Sequence, residues 1–174
     1  MALQTNPDGK VDSYRFLEGM TKRMVKTWVS LDQPADIPWT PLRKPLNTCT
    51  VAMITSGGIA LKTDRPFNKE IERRDPWCSD PSYRVIPRNT LTQDIKCYHL
   101  HFNPEICERD LGCIFPLGQL VELEMRGEIG SAAPSHYSYM GYTLRPQRFL
   151  EESLPAMIRQ LQQENVDVVV LIPV

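Results

Sequence analysis

His99, Leu100 and His101 lie in a stretch with strand character, and the one other histidine in the sequence is His136. On a strand, residues i and i+2 project to the same side, so His99 and His101 point together. A third imidazole beside them would complete a three-nitrogen set. Such a set holds a divalent ion such as zinc with one position open. It can equally supply acids and bases that titrate near neutrality. Spacing alone also allows satisfied core or edge histidines with no joint role.

Three further groups could do chemistry. Arg84 and Arg88 stand on either side of Pro87 and close to Ser82. A planar guanidinium grips a carboxylate through two parallel bonds, although Glu72, Asp75 and Asp80 are nearby partners. Ser135, His136 and Tyr137 bring hydroxyls and an imidazole together, either as the polar floor of a pocket or as a packed loop. Thr55-Ser56-Gly57-Gly58 can offer backbone N–H groups to an anion or make a simple turn.

The elements that must position these residues follow from apolar periodicity. Residues 11–30 read as an amphipathic helix, and the proline-rich 32–48 as an extended strap. Val51–Thr55 is a short apolar run stopped by Gly57-Gly58, as expected of a buried strand. The polar stretch 62–82 reads as a long loop, 83–87 as a weak strand and 95–102 as an alternating strand. Pro116 opens a helix that Gly127 closes, and Pro146 opens another with Asn165 as its stop. Pro155 should kink or split that last helix, because it removes a backbone donor. Val168–Val174 is apolar on both faces, the pattern of a central strand. Alternating strands and helices imply an α/β sandwich with a largely parallel sheet, one domain over 1–174 with its core from residue 49.

Composition narrows the classes. A net charge of −1 gives no basic field for nucleic acid. The apolar runs are too short to span a bilayer, and the N-terminus lacks a signal-peptide layout, so the cytoplasm is the expected location. Five cysteines without a Cys-x-x-Cys pair argue against a disulfide framework and a zinc ribbon.

Several strings occur together in order. They include Trp39-Thr40-Pro41-Leu42-Arg43-Lys44-Pro45-Leu46, Val51–Gly58, Asp80-Pro81-Ser82-Tyr83-Arg84-Val85-Ile86-Pro87-Arg88, His99-Leu100-His101-Phe102 and Phe115-Pro116-Leu117. Ile129–Tyr142 and Asp167–Val174 complete the series. From about residue 38 onward the chain resembles the selenoprotein B family of glycine, sarcosine, betaine and D-proline reductases. The resemblance implies a selenocysteine or cysteine after the closing strand, acting as nucleophile in reductive cleavage of a carbon–nitrogen bond. No selenocysteine is present in this chain, and Cys49, Cys78, Cys97, Cys107 and Cys113 do not occupy that position. A selenocysteine codon also reads as stop. The expectation is therefore UGA after codon 174, then an open frame with a short loop, a further cysteine or histidine, and an amphipathic helix. Without that helix, one flank of the closing strand would have to be buried in an oligomer or partner.

The resulting expectation is the substrate-binding part of a selenol- or thiol-dependent reductase. His136, with Ser135, Tyr137 and help from His99 or His101, would protonate the departing amine. Arg84, Arg88, Ser82, Gly57 and Gly58 would hold a small carboxylate substrate, and a protein subunit or homo-oligomer would complete the assembly. Two other classes stand beside it: a small metalloprotein with a centre of His99, His101 and His136, and a non-catalytic interaction module.

Overall fold

A computed structural model describes residues 17–31, 39–75, 77–100, 103–141 and 143–174, apart from the side chains of Trp28, Leu31 and Glu108. Residues up to Pro41 make one unit and Leu42–Val174 the other. In the first, helix α1 covers Gly19–Leu31, overlapping the expected helical stretch and running one residue past its end. The first part of the expected strap, 32–38, lies outside the described residues.

The second unit is built on one strand. β1 (Thr50–Thr55) is buried almost throughout, because its apolar side chains meet packing on both faces. One flank pairs in parallel with β7 (Val168–Ile172), from Val51 opposite Val168 to Thr55 opposite Ile172. The other flank pairs in parallel with β5 (Ser131–Ala132) and then with β6 (Ser135–Tyr139). β3 (Tyr83–Pro87) closes that side, antiparallel to β6. The sheet has five strands. A separate ribbon pairs β2 (Ile59–Leu61) with β4 (Ile95–Cys97).

The core lies between this sheet and α4 (Leu117–Met125), with Val51, Met53, Ile59, Ile86, Phe115, Leu117 and Leu120 at its centre. α4 ends as its sequence implies: Gly127 takes φ +71°, and the Gly127 and Glu128 N–H groups return to the carbonyls of Glu124 and Leu123. Gly118, near the start of α4, has open space around it. Gly118→Ala is expected to stabilise the protein by about 0.5–1 kcal/mol through helix propensity, read as a raised melting temperature.

Pro155 has the expected effect on the last helix. Phe149–Ser153 forms a wider π-helical turn, and α5 (Leu154–Gln163) takes Pro155 into its first turn. That is where a missing N–H is tolerated. Asn165 adopts φ +53° and stops the helix.

Three expectations are corrected. Stretch 62–82 contains helix α2 (Lys69–Arg74), which Asn68 caps by accepting a hydrogen bond from the Glu70 N–H. The strand expected over 95–102 is limited to 95–97 among the described residues, and α3 (Pro104–Arg109) follows it. β7 is not central: among the described residues it pairs with β1 alone, and Val169, Val170 and Leu171 are exposed, Leu171 by 70%. A doubly apolar run cannot distinguish a strand covered within one chain from one left at an edge.

Candidate functional site

In a parallel sheet, side chains and turns beyond the C-terminal ends of the strands converge on one edge. β1, β6 and β7 all run towards that edge here. β3 is antiparallel, so its first residues arrive there too. The edge therefore collects the Ser56–Gly58 turn, Met140-Gly141, the end of β7, and the segment Ser79–Arg84.

These pieces are tightly knit. Gly141 donates its N–H to the Ser56 carbonyl at 2.9 Å, and Gly57 forms a bridge with Met140. The Val174 N–H donates to Ser56 Oγ at 2.8 Å, which brings the end of β7 beside the turn. Ser79 Oγ donates to the Met140 carbonyl at 3.1 Å and meets the Thr143 hydroxyl. Gly58 sits at φ +59°, a conformation that favours glycine. Its N–H is taken by the Tyr139 carbonyl, and that of Gly57 by Thr55 Oγ1. The two glycines thus hold the turn closed with the N–H groups that an anion would need.

His99 is buried against this turn. A Cβ on Gly141 would lie 3.2 Å from His99 Nε2 and 2.8 Å from the Ser56 carbonyl oxygen. Glycine at 141 is what lets the imidazole and the turn approach each other. A cavity of about 460 Å³ lies along the Asp80–Arg84 segment, lined by Arg65, Asp80, Ser82, Arg84, Arg148 and Glu152 among others. Asp80 organises its wall: one oxygen accepts from the Asn68 N–H at 2.6 Å and the other from the Ser82 N–H and hydroxyl. Burial acts to raise the Asp80 pKa, but the bonds from Asn68 and Ser82 and the nearby Arg84 charge bring it below its usual value.

Arg84 lines the cavity and is heavily committed. Its Nε donates to the Arg65 carbonyl, Nη1 to Ser82 Oγ and the Tyr83 carbonyl, and Nη2 to the Pro66 carbonyl. The guanidinium also lies 4.1 Å from the centre of the Phe67 ring. Arg84→Lys keeps the charge but loses the fork and the stacking. It is expected to destabilise the fold by about 2 kcal/mol, measured by urea denaturation.

The other sequence-derived candidates lie elsewhere. Arg88 is at the opposite end of β3 from Arg84, paired with Glu124 of α4 at 2.9 Å. His136 is fully buried early in β6, where its Nδ1 accepts the Met53 N–H at 3.1 Å and its ring meets Phe115 edge-on. Burial is the main cause that lowers its pKa to about 4, with a further push from Arg88 against a pull from Glu164. The imidazole is therefore neutral at pH 7. Nδ1 is the acceptor, so Nε2 carries the hydrogen, and it has no hydrogen-bond partner among the described residues.

Tyr137 points to the other face, towards Tyr83, Ile54 and Met157, and burial raises its pKa. Ser135 Oγ accepts from Gln160 at 3.4 Å. His136 thus sits in the core, whereas His99 is at the Gly58 and Gly141 edge. His101 lies outside the described residues. Among the described residues no group of three His, Cys, Asp or Glu side chains is arranged to hold a metal ion.

Of the sequence-derived candidates the structure brings Ser82, Arg84 and the Gly57-Gly58 turn to this edge, together with Ser79 and Gly141, which the sequence did not single out, and Asp80, which it offers only as an arginine partner. The signal at Gly141 was a glycine directly after a strand.

Comparison with known proteins adds a second line. Residues 14–173 match the family model described as glycine/sarcosine/betaine reductase selenoprotein B. The chain is 34% identical over 133 residues to D-proline reductase subunit gamma of Acetoanaerobium sticklandii, covering 76% of this chain and 52% of that protein. It is 25% identical over 169 residues to betaine reductase complex component B subunit beta of Peptoclostridium acidaminophilum, covering 94% of this chain and 38% of the relative. The identity to glycine reductase complex component B subunit gamma of Carboxydothermus hydrogenoformans is 28% over 106 residues, 60% of this chain and 23% of the relative. The chain thus spans about half the length, or less, of these curated relatives. No solved structure matches it.

Proposed function

Because the chain belongs to the glycine/sarcosine/betaine reductase selenoprotein B family, we propose that it forms the substrate-binding part of a reductase. That reductase cleaves a carbon–nitrogen bond of an amino-acid-derived carboxylate. It works as a subunit of a larger assembly, as the names of its relatives indicate for them. A selenol or thiol from outside residues 1–174 supplies the nucleophile.

One observation carries the reading. The sheet edge that in α/β folds gathers ligands here brings His99 and a tight glycine turn together, with the end of β7 hydrogen-bonded to Ser56, and the Ser79–Arg84 segment that arrives at the same edge lines a cavity. The cavity beside Ser82, Arg65 and Arg148 receives the substrate carboxylate. His99, at the Gly58–Gly141 contact, gives a proton to the nitrogen that departs with the electron pair of the broken bond. This role falls to His99 rather than His136 because His99 lies at the Gly58 and Gly141 edge, whereas His136 is early in β6 and faces Met53 and Phe115. The exposed apolar edge of β7 fits a chain that is completed by further polypeptide in its assembly.

The test is calorimetric titration with D-proline, betaine, glycine and sarcosine, followed by a reductive cleavage assay of the complete assembly with a dithiol. At least one of these carboxylates is expected to bind. Gly141→Ala, which drives a methyl group into the Ser56 carbonyl and His99, should lower turnover at least tenfold. If all four carboxylates fail to bind the complete assembly, the reading is wrong.

A further inference from the structure

The cavity along Asp80–Arg84 carries charges of both signs, and two of them are largely spent on the protein itself. A guanidinium has five N–H donors, and Arg84 commits four of them, to the Arg65, Pro66 and Tyr83 carbonyls and to Ser82 Oγ. Asp80 accepts three bonds, from the Asn68 N–H and from the Ser82 N–H and hydroxyl. These two side chains build the wall.

Arg148 and Glu152 differ. Both line the cavity, and among the described residues they are the one ion pair on its wall. The contact is side-on: Nε donates to Oε1 at 2.9 Å and Nη2 to Oε2 at 3.2 Å. Among the described residues, the Nη1 hydrogens and the second Nη2 hydrogen of Arg148 meet no acceptor. Each Glu152 oxygen takes one bond and keeps a lone pair. The bond from Arg148 holds the Glu152 carboxyl below its usual range, so it is charged at neutral pH.

The backbone that carries the pair is pinned. Arg148 directly precedes the π-helical turn Phe149–Ser153, a rare element that recurs at functional sites. At one end of the turn the Phe149 ring lies 4.6 Å from that of Tyr139 in β6. At the other end Ser153 Oγ donates to the Pro81 carbonyl at 2.6 Å, and Pro81 itself lines the cavity.

We propose that Arg148 and Glu152 recognise the two ends of a zwitterion, and that Glu152 selects ligands whose cationic nitrogen lies close to their carboxylate. The proposal rests on the reading that this cavity receives a carboxylate. The ligand carboxylate takes the outer edge of the Arg148 guanidinium through Nη1 and Nη2. The cationic nitrogen lies against the Glu152 oxygens. A zwitterion therefore docks head to tail on the ion pair and makes two opposite contacts without breaking it. A simple carboxylate gains the contact with Arg148 but meets the charge of Glu152. For unit charges about 4 Å apart in water-like surroundings, the attraction is worth roughly a fivefold change in affinity.

The experiment compares each zwitterion with its carbon isostere by calorimetric titration of the complete assembly near neutral pH. The pairs are betaine with the tert-butylacetate anion, D-proline with cyclopentanecarboxylate, glycine with propionate, and sarcosine with butyrate. In at least one pair the zwitterion is expected to bind roughly fivefold more tightly, or better, than its isostere. Glu152→Gln keeps the shape of an exposed side chain and should bring the members of that pair within about twofold. It should do so by weakening the zwitterion and strengthening the isostere, a change of ratio that a loss of structure would not produce. Arg148→Gln should weaken both members. An unchanged ratio in Glu152→Gln overturns the proposal, and so does an equal tightening of both members, which would make Glu152 only a competitor for Arg148. If the wild-type assembly binds zwitterion and isostere equally in every pair, the proposal is overturned while the carboxylate reading stands. If it binds neither member of any pair, both are overturned.

Discussion

Between pH 6.5 and pH 4 the protein is expected to lose about 3 kcal/mol of stability through His136 alone. In the unfolded chain this imidazole takes a proton near its ordinary pKa of 6.5, whereas in the folded protein burial holds it neutral down to about 4. Across that window the unfolded state binds more protons, so acidification favours unfolding, and the contribution is complete below pH 4. Glu164 opposes the effect and Arg88 reinforces it, but neither outweighs burial. His136→Asn separates this from general acid sensitivity. Its side-chain carbonyl can accept the Met53 N–H as Nδ1 does now, and it does not titrate. The variant should be less stable at pH 7, yet lose less than the wild type between pH 6.5 and 4.5. Parallel slopes in urea denaturation across that range would refute the assignment.

Gly130→Ala is expected to be the most damaging glycine substitution. A Cβ there would fall 2.5 Å from the carbonyl carbon of Thr48, and 2.9 Å from both the nitrogen and the oxygen of Cys49. All three are backbone atoms, which cannot swing aside as a side chain does. Gly130 and Ser131 both donate their N–H groups to the Cys49 carbonyl, so the methyl group would push β5 away from the start of β1. The expected cost is about 3 kcal/mol or more, a fall in melting temperature of roughly 10 °C. Gly118→Ala, made in parallel, should move the melting temperature the other way. A fall of less than 2 °C for Gly130→Ala, roughly what 1 kcal/mol would cause, would mean that β5 docks less closely than the geometry requires.

The strands and long helices were legible because their signals are local. Val51–Thr55 is an apolar run with a glycine stop, Pro116 and Gly127 bracket α4, and Asn165 terminates α5. The short helices α2 and α3 were also written in the sequence, as Asn68 three residues before Ile71 and as Asn103-Pro104-Glu105. Those are cap signals without enough apolar periodicity to draw attention. The position of β7 was not legible, since an apolar strand looks alike at the centre and at the edge of a sheet. The site was half visible. Ser82, Arg84, Gly57 and Gly58 stand out by type and lie at this edge, but whether Arg84 greets a ligand or binds the Arg65 and Pro66 carbonyls depends on a loop distant in sequence. The separation of His99 from His136 likewise depends on where β4 hands the chain to Gly58.

β1 and β7 also bear on how the molecule assembles in time. β1 is among the first strands synthesised and β7 is the last strand described, with the whole intervening fold between them. Until β7 arrives, the most buried strand has one row of amides and carbonyls open to any other extended chain. Such long-range parallel pairing closes slowly, because a large loop must be ordered first. During vectorial synthesis the half-built sheet would therefore be vulnerable to mispairing. In the finished protein the β1–β7 seam would be the first to open, exposing β1 amides to deuterium before those that face β6.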